Sequence, residues 1–567
     1  MNAIQKSKIW EKSPFDSKTR DEVKKLKQNP DLLEDSFYKD LEFGTGGIRG
    51  IMGVGTNRIN KYTIGKTTQG LAKYLLKSFK NIPIKVVLAY DCRRNGVLYS
   101  KIVSNVLSAN GIICNVFGDI RPTPQLSYAI KKLNAHCGIM LTASHNPPEY
   151  NGYKVYWSDG GQIVPPIDKK LIEIINLTEF KEINFKSNKK NIFKISKDFD
   201  KVFIKASIKS VKFKVLNKEN LKITFSSLHG TSIKILPDLM KKEGFKNFNV
   251  VDIESKPDGD FGKLSSPNPE DPKSFNESIK LAYKTDSDII IVTDPDADRL
   301  GIAVRDFNNK LVLLNGNQTM IIFTDFLLNQ LKLKNKLNKN HFIATTIVST
   351  PLMIKIADSY GVDCKITLTG FKWISKLISE NKNNKFIGGG EESYGYLIGD
   401  LIRDKDAITS SLLACKIGSY LKNHNKSIYD YLISIYKKHG LYKEKLISIE
   451  KKGVRGITEI NELMDFYRKY KSNFFGKYEI VTKEDYMSGF SINLLSTKKI
   501  KLNLPKTNLL RFIFKNGSIL SIRPSGTEPK IKLYISVNKP IVFGEEIEKV
   551  ENNLSHRISD IIRSLKI

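Results

Sequence analysis

Residues 288–299 have the sequence Asp288-Ile289-Ile290-Ile291-Val292-Thr293-Asp294-Pro295-Asp296-Ala297-Asp298-Arg299. A short β-branched run that ends in a polar turn predicts a buried strand followed by a loop. Alternate side chains of an extended segment point the same way, so Asp294, Asp296 and Asp298 are expected to converge. Three converging carboxylates form an all-oxygen site that suits a hard cation such as Mg²⁺.

Arg299 follows the last of these aspartates directly. A guanidinium beside a cation suits a bound phosphoryl group, because it can hold two phosphate oxygens at once. A solvated acidic turn is the alternative interpretation of the loop. The apolar strand before the loop and the arginine after it favour the metal site.

The rest of the chain repeats this arrangement of a strand followed by a polar loop. Runs rich in Val and Ile, which predict strands, lie at residues 85–91, 138–141, 222–225, 288–293, 341–348 and 385–388. They alternate with amphipathic stretches, which is typical of βαβ units and a parallel or mixed sheet. Ligands of open α/β sheets bind beyond the carboxyl ends of strands, so three similar α/β domains could direct three loops at one cleft. No residue-level repeat accompanies the pattern, and the repetition is a hypothesis about topology.

A chain of 567 residues is too long for one hydrophobic core. We predict four domains with boundaries near residues 205, 315 and 440. These give the ranges 1–205, 206–315, 316–440 and 441–567.

The chain carries 92 basic and 59 acidic residues, a net charge of +33. Such an excess is often found in proteins that bind nucleic acids. Here the lysines are scattered over the whole chain, without a basic block or the interleaved aromatic residues that single-strand binders use. We therefore expect a solvated lysine-rich surface and no nucleic-acid partner.

Neither a targeting segment nor a membrane segment is predicted. The first 12 residues lack an apolar core of signal-peptide length, and no run approaches the roughly 18 apolar residues of a membrane span. We expect a cytoplasmic protein with no membrane partner. The five cysteines are far apart and form no CxxC pair, which favours free thiols over zinc or disulfides.

The loop Thr142-Ala143-Ser144-His145-Asn146-Pro147 follows the predicted strand at 138–141 and contains a candidate nucleophile. A serine hydroxyl is a weak nucleophile, so Ser144 needs a base or must already carry a phosphate. Ordinary turn residues are the alternative. A Ser-His-Asp triad is a weaker interpretation, because adjacent Ser144 and His145 do not easily face one another for proton transfer. We expect His145 to support the loop through a hydrogen bond.

Two further loops carry polar groups. Arg523-Pro524-Ser525-Gly526-Thr527-Glu528-Pro529 combines a guanidinium, small residues that expose backbone N–H groups, and flanking prolines. This composition suits a phosphate dianion, and a tight turn without a ligand is the alternative. Gly390-Glu391-Glu392-Ser393-Tyr394-Gly395 offers carboxylates and a hydroxyl, which are suited to sugar hydroxyl groups.

These loops, in this order, resemble those of the α-D-phosphohexomutase family, in particular its phosphoglucomutase and phosphopentomutase branch. The similarity extends from about Leu41 to Tyr534. Its main motifs are residues 42–50 (Glu-Phe-Gly-Thr-Gly-Gly-Ile-Arg-Gly), the Ser144 loop, Asn151-Gly152-Tyr153-Lys154, and the loops 294–299, 390–395 and 523–529. The resemblance implies four domains around a central cleft. Three are similar α/β domains with mixed sheets, and the fourth is a C-terminal α+β domain.

The resemblance also implies a role for each loop. Ser144 is the phosphoserine, and one Mg²⁺ per chain is bound by Asp294, Asp296, Asp298 and a phosphate oxygen on Ser144. Lys154 has the position of the general acid/base, with Arg49 and His145 nearby and Arg299 beside the phosphoserine. The sugar-binding residues are Glu391 and Ser393, and the phosphate-binding residues are Arg523, Ser525, Gly526 and Thr527.

The function implied is that of an isomerase for small-molecule sugar phosphates. We expect interconversion of glucose 1-phosphate and glucose 6-phosphate through a bisphosphate intermediate, with a sugar bisphosphate as activator. Phosphopentomutase and phosphomannomutase activities are the alternatives within the family. A metal-dependent phosphatase could use the same serine and carboxylates, but it would not need a second phosphate loop. A nucleic-acid-associated or structural protein without catalysis is a further alternative, and no oligomeric state follows from the sequence.

Overall fold

The computed structural model describes residues 1–42, 44, 47–262, 264, 266–451, 453–525 and 530–565. The chain forms two compact units. One consists of Met1–Gly316 with Phe371–Ser427, and the other of Asn317–Gly370 with Ile428–Ile567. Within the described ranges, no helix has the length and apolarity that crossing a bilayer requires.

The first unit begins with three short helices that the sequence analysis did not predict. They are α1 (Ala3–Trp10), α2 (Ser17–Leu26) and α3 (Pro30–Phe37). Each has an Asn or Asp at its N-cap whose side chain accepts a backbone N–H. Trp10 stacks on Phe15 with ring centroids 4.3 Å apart and meets Tyr62 edge to face. This aromatic cluster packs the helices onto the domain that follows.

The first α/β domain has a six-stranded mixed sheet. Its elements are β1 (Gly47–Ile51), α4 (Lys61–Ser78), β2 (Lys85–Tyr90), α5 (Gly96–Ala109), β3 (Ile113–Phe117), α6 (Thr123–Lys132), β4 (Cys137–Leu141), β5 (Tyr150–Trp157), α7 (Ile167–Leu177) and β6 (Ile192–Ile195). The strand order is β1-β5-β4-β2-β3-β6, and β5 runs antiparallel to both of its neighbours. Val86 and Leu88 of β2 join one core cluster, whereas Val87 and Ala89 join another. The strand is therefore buried on both faces, as expected for a sheet covered by helices on both sides.

The second domain repeats this plan. Its elements are α8 (Asp198–Ser210), β7 (Ile223–Ser226), α9 (Leu236–Glu243), β8 (Phe248–Val250), α10 (Asp252–Ser255), α11 (Asn276–Lys284), β9 (Ile289–Thr293), β10 (Leu300–Arg305) and β11 (Leu311–Leu314). The strand order is β11-β10-β9-β7-β8, and β9 is parallel to β7 but antiparallel to β10. The acidic loop thus joins β9 to its antiparallel partner, just as the Ser144 loop joins β4 to β5.

The third set of elements is shared between the two units. The second unit contains α12 (Gly316–Leu333), apart from its first residue, with β12 (His341–Thr346), α13 (Leu352–Tyr360) and β13 (Asp363–Thr367). The first unit contains α14 (Phe371–Glu380), β14 (Lys385–Glu391), β15 (Gly395–Ile398) and α15 (Ala407–Lys422). Strands β12 and β13 are parallel, whereas β14 and β15 are antiparallel. Here too, a short polar loop joins a buried strand to an antiparallel neighbour.

The C-terminal domain, in the second unit, is of a different type. Helix α16 (Ile428–His439) precedes it in the chain. The elements of the domain are β16 (Leu441–Glu450), α17 (Gly453–Arg468), β17 (Phe474–Phe475), β18 (Tyr478–Asp485), β19 (Phe490–Asn493), β20 (Lys499–Lys501), β21 (Leu510–Phe514), β22 (Ile519–Pro524), β23 (Lys530–Lys539) and α18 (Ile547–Arg563). The sheet has the order β16-β23-β22-β21-β18-β19-β20, with β17 on β18, and its described pairings are antiparallel. Helix α18 packs on β16 and β23. Short 3₁₀ helices elsewhere lie at Phe180–Glu182, Lys189–Asn191, Lys218–Asn220, Thr231–Lys234 and Pro272–Phe275. The predicted fold class, three mixed-sheet α/β domains and a C-terminal α+β domain, is confirmed.

Candidate active site

The loop between β9 and β10 brings three carboxylates together inside the protein. Asp294, Asp296 and Asp298 are almost completely buried, and each offers an oxygen within 4.8 Å of the oxygens of the others. The strand that delivers them is itself buried at every position. Like charges at this distance and depth repel strongly, so the cluster requires cations nearby.

Two lysines supply part of that positive charge. Lys154 Nζ, from β5, lies 2.7 Å from Asp296 Oδ2 and 3.2 Å from Asp298 Oδ2. Lys405 Nζ lies 3.3 Å from Asp298 Oδ2. Burial opposes the charge of Lys154, but the two carboxylates outweigh it and raise its pKa above the ordinary value. In the metal-free chain Lys154 is therefore cationic.

The nearby cations do not affect the pKa values of the three carboxylates equally. Burial, followed by the charges of Asp296 and Asp298, raises the pKa of Asp294 well above its ordinary value. Asp296 is also buried, but Lys154 holds the pKa of Asp296 below the usual range. Of the three carboxyls, Asp294 therefore holds a proton most readily.

The cluster fits a divalent metal ion on its own geometry. Asp296 Oδ1 and Asp298 Oδ1 are buried and have no hydrogen-bond partner among the residues that the structure describes. Leaving a buried acceptor unsatisfied costs on the order of 1–3 kcal/mol. A hard cation would satisfy both oxygens, since its preferred ligands are carboxylate oxygens.

Ser144 joins this cluster from the loop between β4 and β5. Its side chain is buried, and its Oγ donates a hydrogen bond of 2.6 Å to Asp294 Oδ2. The two residues are 150 positions apart in the chain. The Ser144 hydroxyl is thus bonded directly to one carboxylate of the acidic cluster.

His145 contacts Ser144, and Arg49 contacts another residue of the same loop, Asn146. His145 Nδ1 is 3.3 Å from Ser144 Oγ, and Arg49 Nη1, from β1, donates to Asn146 Oδ1 at 2.7 Å. Burial, followed by the charges of Arg299 and Arg49, lowers the pKa of His145 well below its ordinary value. The lowered pKa favours the neutral imidazole, which can exchange a hydrogen bond with the serine hydroxyl.

Arg299 is fixed at the end of the acidic loop. Its backbone N–H donates to Asp294 Oδ1 at 2.9 Å, and its guanidinium Nη1 pairs with the carboxylate of Glu270. Although burial opposes the charge, Glu270 and Asp298 raise the pKa of Arg299 above the ordinary value. A permanent guanidinium charge accordingly stands beside the cluster.

The predicted sugar-binding residues lie in the same unit. Glu391 ends β14 and is buried. Burial opposes the charge of Lys405, but the charges of Asp298, Asp404 and Glu391 together raise the pKa of Lys405 above its ordinary value. Ser393 is half-buried in the loop that follows. The carbonyl of Tyr394 accepts the N–H of Leu300 at 2.9 Å, which ties this loop to the start of β10. The structure thus brings together three of the predicted loops.

The predicted phosphate loop belongs to the second unit. Arg523 is half-buried on β22, opposite Lys532 of β23. The N–H of Ser525 donates to the carbonyl of Lys530 at 2.7 Å. Gly526 and Thr527 lie outside the described residues.

Two residues at the acidic cluster were not identified from the sequence. Thr123, the first residue of α6, donates to Asp296 Oδ2 at 3.0 Å. Lys405 lies in an unremarkable loop, but a Cβ at Gly395 would lie 1.9 Å from Lys405 Cδ. Only glycine leaves room for the Lys405 side chain at position 395. In the sequence, Gly395 at the end of the 390–395 motif could therefore have indicated that another side chain packs against this position.

The chain matches four domain families in order. Phosphoglucomutase/phosphomannomutase alpha/beta/alpha domains I, II and III match residues 40–182, 201–308 and 315–439. The phosphoglucomutase/phosphomannomutase C-terminal domain matches residues 480–538.

Individual proteins agree with these matches. A phosphoglucomutase of Staphylococcus aureus (strain MRSA252) is 37% identical over 511 residues, which cover 89% of this chain and 91% of that protein. The same fold is found in pp63/parafusin (phosphoglucomutase) from Paramecium, with a TM-score of 0.67, 18% identity, and coverage of 93% of this chain and 96% of that chain. A phosphoglucomutase/phosphomannomutase family protein from Burkholderia thailandensis has a TM-score of 0.63 at 17% identity, with coverage of 92% and 97%. The resemblance to the α-D-phosphohexomutases is thereby confirmed. This chain belongs to the phosphoglucomutase/phosphomannomutase family and is an isomerase, a mutase of sugar phosphates.

Proposed function

We propose that this enzyme interconverts glucose 1-phosphate and glucose 6-phosphate through a phosphoserine at Ser144 and a sugar bisphosphate. The hydrogen bond of 2.6 Å from Ser144 Oγ to Asp294 Oδ2 carries the proposal, because it joins the hydroxyl directly to a buried acidic cluster. Relatives that are 37% identical carry the name phosphoglucomutase, which supports glucose as the sugar.

We assign the cluster of Asp294, Asp296 and Asp298 to one Mg²⁺, with a phosphate oxygen on Ser144 as a further ligand. The all-oxygen donor set and the two buried oxygens that lack hydrogen-bond partners in the described chain support this assignment. When bound, the cation neutralises negative charge that develops on the transferring phosphoryl group.

In the first transfer, the P–O bond to Ser144 breaks and a bond forms from phosphorus to a sugar hydroxyl oxygen. The proton of that hydroxyl passes to Lys154, which returns it to the serine oxygen as that oxygen leaves phosphorus. In the second transfer, the other phosphoryl group of the bisphosphate moves to Ser144, with the proton transfers reversed.

Lys154 can accept a proton only when its pKa falls from the raised value of the metal-free chain. A divalent cation on Asp296 and Asp298 would compete for the carboxylates that now stabilise the ammonium. The like charge of such a cation would also disfavour the protonated amine of Lys154.

The other residues bind and orient the substrate. Arg299 is assigned to the oxygens of the transferring phosphoryl group, with Arg49 and His145 as supports of the Ser144 loop. Glu391 and Ser393 exchange hydrogen bonds with sugar hydroxyls. The phosphate that does not react is assigned to Arg523, Ser525, Gly526 and Thr527.

Turnover across a panel of sugars tests this proposal. Glucose, mannose, ribose and deoxyribose 1-phosphates are incubated with Mg²⁺ and a trace of the matching bisphosphate, which serves as activator by phosphorylating Ser144. We expect ³¹P NMR to show preferential formation of glucose 6-phosphate. A preference for pentose or mannose phosphates would replace glucose and retain the mechanism. Free phosphate would indicate a metal-dependent phosphatase, and no reaction would overturn the proposed activity.

A further inference from the structure

Arg93 follows β2 and its side chain is completely buried. Its Nη1 donates to the carbonyls of Pro147 and Tyr150, both at 2.8 Å. Its Nη2 donates to the carbonyl of Ser144 at 2.7 Å and to the carbonyl of Asn146. One guanidinium thus donates to four carbonyl groups, three in the loop that carries Ser144 and one at the start of β5.

The amide side of Ser144 is held by a second set of contacts. Its N–H donates to Thr142 Oγ1 at 2.8 Å, and the Thr142 hydroxyl donates to Asp91 Oδ2 at 2.6 Å. Asp91 Oδ2 in turn lies 3.4 Å from Arg93 Nε. The contacts form a closed ring that fixes Ser144 through both its N–H and its carbonyl group.

Ser144 needs such a constraint because its φ is +52°. Residues with a Cβ rarely adopt this left-handed conformation, and it persists where the surroundings enforce it. In this conformation Ser144 Oγ meets Asp294 Oδ2 at 2.6 Å. A backbone released to negative φ would direct the hydroxyl elsewhere.

We infer that Arg93 is a positioning residue for phosphoryl transfer, which holds the Ser144 loop so that the serine oxygen faces the acidic cluster. This inference rests on the proposed function of Ser144. The planar guanidinium suits the task because its donors form a fixed fork, whereas a lysine ammonium is a compact charge that cannot span four carbonyls.

The test compares Arg93→Met and Arg93→Lys with Arg94→Met. Arg94 is the adjacent residue, but its side chain is 60% exposed and pairs with Asp260 at the surface. The variants are assayed for kcat and KM with glucose 1-phosphate, Mg²⁺ and bisphosphate. Phosphate on Ser144 is measured by mass spectrometry, and folding by thermal unfolding. A displaced reacting group typically costs on the order of 10²-fold in rate.

We expect kcat to fall about 10²-fold in Arg93→Met and about 10-fold in Arg93→Lys, with KM within about 2-fold of wild type. Arg94→Met should match wild type. A partial loss of folded enzyme would also lower the apparent kcat at unchanged KM, so kcat is calculated per folded molecule, with the folded fraction taken from thermal unfolding. A folded Arg93→Met with wild-type kcat, or with only KM changed, overturns the inference.

Thr142→Val provides a second route if the Arg93 variants do not fold. It removes the hydroxyl that accepts the Ser144 N–H while it nearly preserves side-chain volume. We expect kcat to fall about 10-fold at constant KM, and wild-type kcat would overturn the inference. If wild-type enzyme shows neither turnover nor phosphate on Ser144, the proposed function fails and this inference fails with it.

Discussion

The Ser144 loop and the acidic loop have the same position in their domains, since each joins a buried strand to an antiparallel partner. They also share a turn conformation, because Ser144 and Ala297 have φ values of +52° and +54°. The means of holding them differ. The first loop is held at its carbonyls by one side chain, the buried guanidinium of Arg93. The second is held at its carbonyls by backbone N–H groups at the starts of α6 and α15. Its carboxylates also form ion pairs, such as that of Asp296 with Lys154.

The two ways of holding a loop correspond to two requirements of the site, a fixed backbone conformation at Ser144 and a balance of charge at the acidic cluster. A loop held through its backbone depends on conformation, so its disruption should change the rate of transfer and leave metal binding intact. The acidic loop has ion-paired carboxylates in addition to its backbone hydrogen bonds, so changes of those carboxylates should alter metal affinity and protonation. Substitutions on each side can test whether the two requirements are separable.

The largest effect is expected for Ser144→Ala, which removes the oxygen that carries the phosphoryl group. Turnover should fall by at least about 10³-fold, because no other group holds the phosphate between the two transfers. The melting temperature should stay within a few degrees of wild type. The measurement is isomerisation of glucose 1-phosphate by protein freed of host mutase, and full activity would contradict the assignment.

Asp296→Asn should have the next largest effect. It changes the acidic loop, whose carboxylates depend on charge, and the affected quantity is the affinity for Mg²⁺. Loss of one of three carboxylate ligands should weaken Mg²⁺ binding by at least about 100-fold, as measured by titration calorimetry. Asp238→Asn, on the exposed face of α9, serves as the control. Equal Mg²⁺ affinities of the two variants would show that the ion binds elsewhere.

The two lysines of the cluster sharpen the comparison. Lys154 contacts two carboxylates of the cluster, whereas Lys405 contacts one of them and, outside the cluster, Asp404. We expect kcat to fall about 10²- to 10³-fold in Lys154→Met and about 10-fold in Lys405→Met. Because each change also removes a cation that competes for the carboxylates, Mg²⁺ should bind more tightly in both. Weaker metal binding in either variant would show that the lysine supports the ion.

The smallest effect is expected for His145→Gln. Burial and the nearby arginines lower the pKa of His145 well below its ordinary value, so the neutral form persists as the pH falls through 6.5. Titration of this imidazole therefore cannot produce an acidic limb between pH 6 and 8. The variant should change kcat less than about 3-fold and keep the wild-type pH–rate profile. Loss of an acidic limb near pH 6.5 in the variant would contradict this.

Much of the fold followed from local patterns. The run at 288–293 predicted β9 and the loop after it, because five consecutive buried positions require apolar residues. The repetition of one plan in three domains was a topological hypothesis, and the shared strand pairings now support it. No residue-level repeat marked it, since the same turn is built from Ser144, Ala297 and Tyr394, with φ of +65° at the tyrosine.

The residues that the sequence analysis missed share a physical reason. Thr123 contacts a carboxylate 173 positions away, and Arg93 reaches carbonyls more than 50 positions away. Neither contact leaves a local pattern, because each depends on how separate elements pack. The N-terminal helices were missed for a similar reason, since the aromatic cluster that stabilises them includes Tyr62 of α4.

The sequence by itself determined which chemical groups the site contains and which strands deliver them, because strand periodicity and loop composition are local properties. The tertiary structure alone decided what each group does. Asp294 and Asp296 are the same residue type two positions apart, yet the pKa of Asp294 is raised and that of Asp296 is lowered. The difference arises because Lys154, delivered by a strand of another domain, contacts Asp296 and Asp298 but not Asp294. Protonation depends on distances between charges, and those distances exist only in the folded chain.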